Sequence, residues 1–373
     1  MRGLLNTRRR HGPGRWPCVL VAWGLWSAAG AAESIQADRA RQTDRSSDTC
    51  AAEDRITFRG FTVRLENDLF VGTDQSYTNG VALLGISRDI AETVRPECLP
   101  STVRWHASLI KWLDPGFWAN ADHPPGVQNV VVKFGQSMYT PADPQRVDLI
   151  DNDRPYAGLL YVGMSWNRRS VDEPTSTDTL DTREITLGVI GPWSLARQAQ
   201  NLVHDAIGAN RFLGWDHQIR TEPALQMAMD RNIETSAALS VEGRVGWNIP
   251  NDFGTYPIRP GAENRPPSSS APTARLADAG PPDRGLKAGI HLFSTLEVKA
   301  VAHDFSLDGN LLRSSHRVSR RPWVAQASLG LSTQLPIAGR GVKLAWMRVW
   351  RTREFEQQTS RHSYGSVAAS IEF

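Results

Sequence analysis

Long apolar runs are scarce in this sequence. After residue 32, no window holds eighteen apolar residues in a row. A membrane-crossing helix needs about 20 such residues, so the sequence argues against a helical membrane protein. Only a closed β-barrel could then span a bilayer, because a barrel satisfies its backbone hydrogen bonds internally.

Cysteine is also scarce, with three residues, Cys18, Cys50 and Cys98, in a chain of 373. No CxxC pair occurs and no histidine stands beside Cys50 or Cys98, which argues against a cysteine metal site. In an oxidising compartment Cys50 and Cys98 could form one disulfide. The sequence leaves open whether they do.

The first 32 residues have the pattern of a secretory signal peptide. Five arginines precede or flank the start of an apolar stretch over 17–29, and small residues follow at 29–32. The stretch is shorter than the roughly 20 residues of a membrane span. We predict a signal peptide over 1–32, an N-terminal segment over 33–55 and one domain over 56–373.

The mature chain has no excess of basic residues. The whole chain has 42 basic and 39 acidic residues and a formal charge of +3. Removing residues 1–32 takes away five arginines and no acid, which leaves 37 basic against 39 acidic residues and a charge of −2. Nucleic-acid-binding proteins normally carry a basic stripe, so we expect no nucleic-acid partner.

Alternating polar and apolar residues predict many β-strands. In the first run Phe61, Val63 and Leu65 alternate with polar residues, and in the last run Ile371 and Phe373 share one face. This pattern is typical of an antiparallel transmembrane β-barrel, although a soluble β-sandwich also alternates. The other runs cover 77–88, 127–138, 157–168, 181–191, 223–231, 234–248, 286–304, 321–335, 341–356 and 364–373.

Three segments depart from the strand pattern. Residues 89–126, which contain tryptophans and prolines, and residues 252–284, which are rich in Pro, Ser, Ala and Gly, are predicted to be loops. Residues 194–207 show helical spacing of apolar residues until Gly208. A single helix in an all-β chain suggests a functional role.

One side chain on the predicted helix could act as a general base, and a second could support it. Gln200 and His204 are four residues apart and therefore project from the same face. Histidine is the usual proton acceptor near neutral pH, and a glutamine one turn earlier could orient it or a water molecule. The alternative is an ordinary solvated histidine on a surface helix.

A second cluster is rich in oxygen donors. Glu66, Asn67 and Asp68 are followed by the segment 73–80, which adds carboxylate, carboxamide and hydroxyl groups. Calcium takes several such oxygen ligands. The alternative is a hairpin turn, for which Asn, Asp and Gly are also the usual residues.

Several short motifs in this order resemble the LpxR-type lipid A 3'-O-deacylases. The resemblance runs from about residue 56 to the end and includes the helix with Gln200 and His204. The other motifs are Glu66-Asn67-Asp68, Tyr77-Thr78-Asn79-Gly80, Gln136-Ser137-Met138-Tyr139-Thr140-Pro141, Asp153-Arg154-Pro155-Tyr156-Ala157-Gly158, Gly214-Trp215 and Leu307-Asp308-Gly309-Asn310.

The resemblance implies an all-β outer-membrane barrel of about twelve strands, with an active site between the barrel wall and a short helix. His204 would activate water for hydrolysis of an ester-linked acyl chain of lipid A, and Gln200 would support it. Asn67 and Asp68 would bind Ca²⁺, with Thr78 nearby. The implied partners are lipid A, or lipopolysaccharide, and the outer-membrane lipid.

Two positions depart from the family pattern. Arg146 stands where a lysine is expected, which keeps the positive charge but changes its geometry, and a lipid A phosphate could be its partner. Asn210 stands where a metal-binding carboxylate is expected, so an oxygen ligand remains without its charge. A catalytically silent barrel, or an outer-membrane phospholipase with a serine nucleophile, are the alternative functions.

Overall fold

The computed structural model describes most of the chain from residue 56 onward. The described residues are 56–67, 76–88, 90, 98–119, 128–172, 177–228, 236–249, 287–359 and 361–373. All of them belong to a compact unit over 54–373. The predicted signal peptide, the N-terminal segment and the predicted loop over 252–284 lie outside the described residues.

Eleven antiparallel strands form one sheet. Strands that follow each other in sequence pair, except β6 and β7, and β1 pairs with β11. The sheet order is therefore β6-β5-β4-β3-β2-β1-β11-β10-β9-β8-β7. The strands are β1 (Phe58–Asn67), β2 (Ser76–Ser87), β3 (Gln128–Thr140), β4 (Ala157–Asp172), β5 (Thr177–Ile190), β6 (Glu222–Ala228), β7 (Ser236–Trp247), β8 (Gly289–Val301), β9 (Trp323–Ile337), β10 (Arg340–Arg351) and β11 (His362–Glu372).

This topology confirms the predicted all-β antiparallel class. A soluble sandwich would divide its strands between two sheets, whereas all eleven described strands belong to one. The predicted count was about twelve. Within the described part of the chain, β6 and β7 stand at the two ends of the sheet order, and residues 229–235 between them are not described.

The two faces of the sheet differ in polarity, as a wall between lipid and lumen requires. In β1, Phe61, Val63 and Leu65 are exposed, whereas Thr62 and Glu66, which point to the opposite face, are buried. β8 shows the same alternation, with exposed aliphatic residues between buried polar ones. We call the face with the exposed apolar residues the outer face and the opposite one the inner face.

Paired charges occupy the inner side. Lys133 of β3 forms a buried ion pair with Glu184 of β5. After β10, the buried Glu354 accepts hydrogen bonds from Arg154 at 2.7 Å and from Arg351 at 2.8 Å. Burial by itself would raise the pKa of Glu354, but Arg351 and Arg154 outweigh it and hold the pKa below its usual range.

The sheet has an upper end, where β1 ends and β2 begins, and a lower end, where β1 begins and β11 ends. At the lower end the backbone N–H of Phe373 donates to Arg59 O at 2.9 Å. The Phe373 ring lies 5.9 Å from that of Phe61 on the outer face. The predicted alternation of the last strand is confirmed, because Ile371 is exposed and Ser366 is buried.

Four α-helices and two 3-10 helices connect strands in the described residues. The predicted loop over 89–126 is wrong in part, because α1 and α2 form there. Pro100 and Pro115 stand at the two ends of α1 rather than inside it, so they do not interrupt its hydrogen bonds. The helices are α1 (Ser101–Leu113), α2 (Gly116–Ala119), α3 (Ala196–Ile207), α4 (Phe305–Asp308) and the 3-10 helices Gly191–Ser194 and Gly214–His217.

Helix α1 packs on the outer face near the lower end. Its residues Val103 and Ile110 contact a cluster that includes Trp166 of β4 and Ile185 of β5. His106 is buried on the same side of the helix. Before α1, Cys98 is disulfide-bonded. None of the described helices is long and apolar enough to cross a membrane.

Candidate active site

The helix that carries the predicted catalytic residues is α3. It begins two residues later than predicted, because Leu195 has a left-handed φ of 57° that separates α3 from the preceding 3-10 helix. Gly208, with φ 73°, ends it as predicted. Ala196, Gln200 and His204 are the buried residues of α3, and their spacing of four places them on one face.

Helix α3 lies against the outer face of β3 and β4 near the upper end. Gln136 of β3 donates a hydrogen bond from Nε2 to Ser194 O at 2.6 Å. A Cβ on Gly158 of β4 would come within 3.3 Å of Ser194 Cβ, and closer still to Ser194 Oγ and Ala196 Cβ. The start of α3 therefore packs directly on the strand backbone, which only glycine permits.

His204 is held in one tautomer by a backbone carbonyl. Its Nδ1 lies 2.6 Å from Asn210 O. Because a carbonyl oxygen can only accept, Nδ1 carries the proton and the neutral ring has its lone pair on Nε2. The edge of the ring packs against Phe212 in a T-shaped contact with centroids 4.8 Å apart. His204 is buried, so the alternative of a solvated surface histidine is wrong.

The segment after α3 is tied back to the helix. Arg211 donates two hydrogen bonds to the carboxylate of Asp205. These bonds lower the pKa of Asp205, which is exposed to solvent. Asn210 lies between these anchors and His204, so its carbonyl is kept in place for Nδ1.

Gln200 is oriented by a buried tryptophan. Its Oε1 accepts a hydrogen bond from Trp215 Nε1 at 2.6 Å. Trp215 is fully buried and packs against Tyr156, with ring centroids 4.8 Å apart. The other amide atom, Gln200 Nε2, is buried and has no hydrogen-bond partner among the residues that the structure describes. Its two N–H groups are therefore available to a bound molecule or to a residue outside the described ranges.

A row of register partners crosses the outer face beside α3. Met138 of β3, which packs with Ala196 and Trp215, pairs with Gly158 on one side and Asn79 on the other. Asn79 in turn pairs with Asn67. Asn67 has the same orientation as the exposed Leu65, because side chains two residues apart share a face. The predicted metal ligand Asn67 is thus on the same face as α3.

The other predicted residues of this cluster are described only in part. Asp68 follows Asn67 directly and lies outside the described residues. Thr78 belongs to β2, at a point where the pairing register with β3 shifts between Tyr77 and Asn79. Only the backbone of Thr78 is described.

The protein-family comparison identifies the chain. The family described as Outer membrane protein LpxR matches residues 25–233 and 231–373. The chain belongs to the LpxR family. The resemblance stated from the sequence motifs is therefore confirmed, and the LpxR-family protein is assigned to the outer membrane. No curated protein matches the chain significantly.

One solved structure supports the fold of this LpxR-family chain. It is similar to LpxR from Salmonella typhimurium, with a TM-score of 0.53 and 16% sequence identity, over 84% of this chain and 100% of that one. A weaker likeness is to the translocator domain of the autotransporter NalP from Neisseria meningitidis, with a TM-score of 0.28, 10% identity and coverage of 94% and 98%. The first likeness shows the barrel fold, and family membership relates the chain to lipid A.

The two departures from the family pattern both lie close to the helix assembly. Arg146 is exposed in the connection between β3 and β4, and its carbonyl oxygen is 2.9 Å from the position of a Cβ on Gly214. Asn210 uses its backbone carbonyl for His204, and its side chain is exposed. The backbone bond to His204 does not depend on the side chain at position 210.

The sequence motifs included most of the residues that hold α3 in place, but they did not indicate that role. Gln136, Gly158 and Trp215 each belong to a motif that carries the family resemblance. Phe212 belongs to none of these motifs and was not predicted. Its aromatic character next to the predicted helix was the available signal.

The described residues include only part of the predicted calcium site. No group of three or more His, Cys, Asp or Glu residues that could hold a metal occurs within the described ranges. Asn67 and Asn210 contribute amide oxygens, which suit calcium, but no charge. The only carboxylate among the three predicted ligands is that of Asp68, outside the described part. The donor set fits calcium in chemistry, and the site stays a prediction.

Proposed function

We propose that this protein hydrolyses an ester-linked acyl chain of lipid A in the outer membrane, with His204 as the general base. The observation that carries the proposal is the state of His204. Its ring lies on the buried face of α3, which packs on the lipid-facing side of the wall, and Nδ1–H donates a hydrogen bond to Asn210 O. Nε2 is thereby left as a proton acceptor, as in catalytic histidines whose second nitrogen is oriented by a carbonyl group.

The reaction would proceed through a tetrahedral intermediate. Nε2 of His204 takes a proton from a water molecule as the water oxygen bonds to the ester carbonyl carbon. When the intermediate collapses, the bond to the sugar oxygen breaks and His204 returns its proton to that oxygen. The products are a free fatty acid and a lipid A hydroxyl, and the histidine is neutral again.

The oxyanion of the intermediate needs stabilisation by preorganised groups. The buried Nε2 of Gln200 is the available donor in the described part of the site, and Trp215 fixes its direction. Asn67, Asp68 and Asn210 would hold a calcium ion, with Thr78 beside them. Calcium bound there would supply positive charge for the developing oxyanion.

Arg146 would contribute outside the acyl-transfer chemistry. Arg146 is exposed, and its backbone carbonyl lies beside Gly214. A planar guanidinium binds phosphate with two parallel hydrogen bonds. We assign Arg146 to a lipid A phosphate, so its replacement should weaken substrate binding more than the chemical step.

The catalytically silent barrel is less well supported. That alternative depends on the missing carboxylate at position 210, but the hydrogen bond that orients His204 comes from the backbone and is intact. For the serine phospholipase, the nearby Ser194 is a poor nucleophile candidate, because its Oγ is buried and donates to Gly191 O at 2.6 Å.

His204→Ala tests the proposal. General-base catalysis contributes about 10²–10⁴-fold in rate, so the variant should lose nearly all release of fatty acid from lipid A. His204→Gln should be no better, because a carboxamide cannot accept the proton. His217→Ala is the matched control, since this histidine is exposed on the adjacent 3-10 helix. The assay is mass spectrometry of lipid A incubated with each purified protein, and heat-modifiable migration in gels reports assembly.

The outcome decides between the alternatives. An assembled His204→Ala protein that deacylates lipid A at the parent rate would overturn the base assignment. A parent protein that releases no fatty acid from lipid A in the presence of calcium would favour the silent barrel. Release from phospholipid but not from lipid A would favour the phospholipase.

A further inference from the structure

Arg348 is a charged residue on the lipid-facing side of the wall. Trp346 and Trp350, two residues before and after it in β10, are exposed, whereas its direct neighbours Met347 and Val349 are buried on the inner side. Arg348 therefore points outward. In the described side chains of β1 and β8 to β11, the other outward positions near the upper end are apolar, small or uncharged.

Such a position is costly for a cation unless something compensates its charge. An arginine on the lipid face of a barrel destabilises the protein most at the bilayer midplane and less near the interfaces. The guanidinium of Arg348 lies over the ring of Trp350 at 5.4 Å, which offsets part of this cost. Its Nε is buried and has no hydrogen-bond partner among the described residues. None of the described residues forms an ion pair with Arg348, so the charge of its partly exposed guanidinium can be balanced by an external anion.

The flanking tryptophans indicate the depth of Arg348 in the membrane. Tryptophan is enriched at membrane–water interfaces, where lipid headgroups lie. Trp350 and Trp346 are half-exposed on both sides of Arg348 along β10, and Trp323 of the neighbouring strand is exposed at the same upper end. The guanidinium is thus at the level of phosphate groups rather than of acyl chains.

Arg348 is also close to the proposed active site. It pairs with Gly365 of β11, and Gly365 pairs with Asn67 of β1. These three residues extend the row that passes beneath α3. Neighbouring strands are about 4.8 Å apart, so roughly 10 Å separate the strand positions of Arg348 and Asn67. Gly365, which is buried, places no side chain between the two.

We infer that Arg348 binds the phosphate of a lipid headgroup and positions that lipid on the outer face with its ester bond toward α3. A guanidinium suits phosphate because of its charge and its paired N–H donors. The inference rests on the proposed function only in naming lipid A as the first lipid to test for binding to Arg348. A phospholipid phosphate has the same chemistry and is tested separately.

Binding is measured in the His204→Ala protein, so that the lipid is not consumed. The full-length protein in detergent micelles is titrated with lipid A, with phosphatase-treated lipid A and with phosphatidylglycerol, and tryptophan fluorescence is recorded. Arg348→Gln is compared with Arg340→Gln, which removes an exposed arginine from the outer face of the same strand at the lower end. Arg348→Lys keeps the charge, and heat-modifiable migration checks each variant.

Arg348→Gln should weaken binding of lipid A about tenfold, as expected for a lost charge-assisted hydrogen bond. Phosphatase-treated lipid A should bind both proteins equally, Arg340→Gln should match the parent, and Arg348→Lys should keep part of the affinity. A loss confined to lipid A assigns the phosphate to that lipid, and an equal loss with phosphatidylglycerol assigns it to lipid phosphates generally.

Unchanged affinity for every phosphorylated lipid, or an equal loss with phosphatase-treated lipid A, would overturn the inference. Because no step of the measurement requires hydrolysis, these outcomes are distinct from a failure of the proposed deacylation. Release of fatty acid by the parent protein is recorded in a parallel sample for that purpose.

Discussion

Gly158→Ala should displace the helix that carries His204. The new Cβ would lie within 3.3 Å of Ser194 Cβ and closer to two further atoms, whereas carbon atoms attract at about 3.5–4.0 Å. Because β4 is hydrogen-bonded to a strand on each side, its backbone cannot move away, so α3 must move outward by about 1 Å. A misplacement of about 1 Å can lower the rate of an enzyme about 10²-fold. We expect kcat/KM for lipid A deacylation to fall by about that factor.

The assay is fatty-acid release from lipid A in detergent micelles, with purified variants. Gly243→Ala is the control, because Gly243 is an exposed glycine of β7 with no atom within 4 Å of an added Cβ. Both variants should assemble and show heat-modifiable migration. Deacylation at the parent rate by Gly158→Ala would show that the contact between α3 and β4 does not set the position of His204.

Three further predictions concern the metal, the inner charges and α1. Chelation of calcium should lower deacylation, and added calcium should restore it; equal rates in chelator would remove support for the metal. Glu354→Gln leaves the buried Arg154 without its anion and should cost about 3–5 kcal/mol in the free energy of unfolding, unlike Glu356→Gln in an exposed pair. Since the pKa of Glu354 is lowered in the folded protein, its contribution is present at neutral pH and is lost only as the pH falls below the usual range of a glutamate. Burial lowers the pKa of His106 from 6.5 to about 4, so docking of α1 should weaken as the pH falls from 6.5 toward 4, with faster amide exchange in α1.

The strands could be predicted because the two faces of the wall have different solvents. Phe61, Val63 and Leu65 face lipid and their neighbours face a polar interior, so the alternation is visible in one sequence. Helix α1 was not predicted, because only three of its residues, Val103, His106 and Ile110, are buried. This weak helical pattern was outweighed by the flanking prolines, which indicated a loop.

The site could be predicted only as separate motifs. The spacing of Gln200 and His204 placed them on one helix face, and the structure confirms that placement. The row that joins Gly158, Asn67 and Arg348 depends on pairing between strands almost 300 residues apart, which no local pattern reveals. The hydrogen bond between His204 and the backbone of Asn210 was not predicted, because every residue has a backbone carbonyl and the type of residue therefore does not indicate it.

The position of α3 on the outside of the wall determines how this protein meets lipids. Under the proposed function, a lipid that diffuses within the leaflet reaches His204 from the side, without entering the lumen or leaving the bilayer. The encounter is then a two-dimensional process, governed by the lipid composition and fluidity of one leaflet rather than by a concentration in water. An inhibitor of the site would have to partition into that leaflet before it could compete.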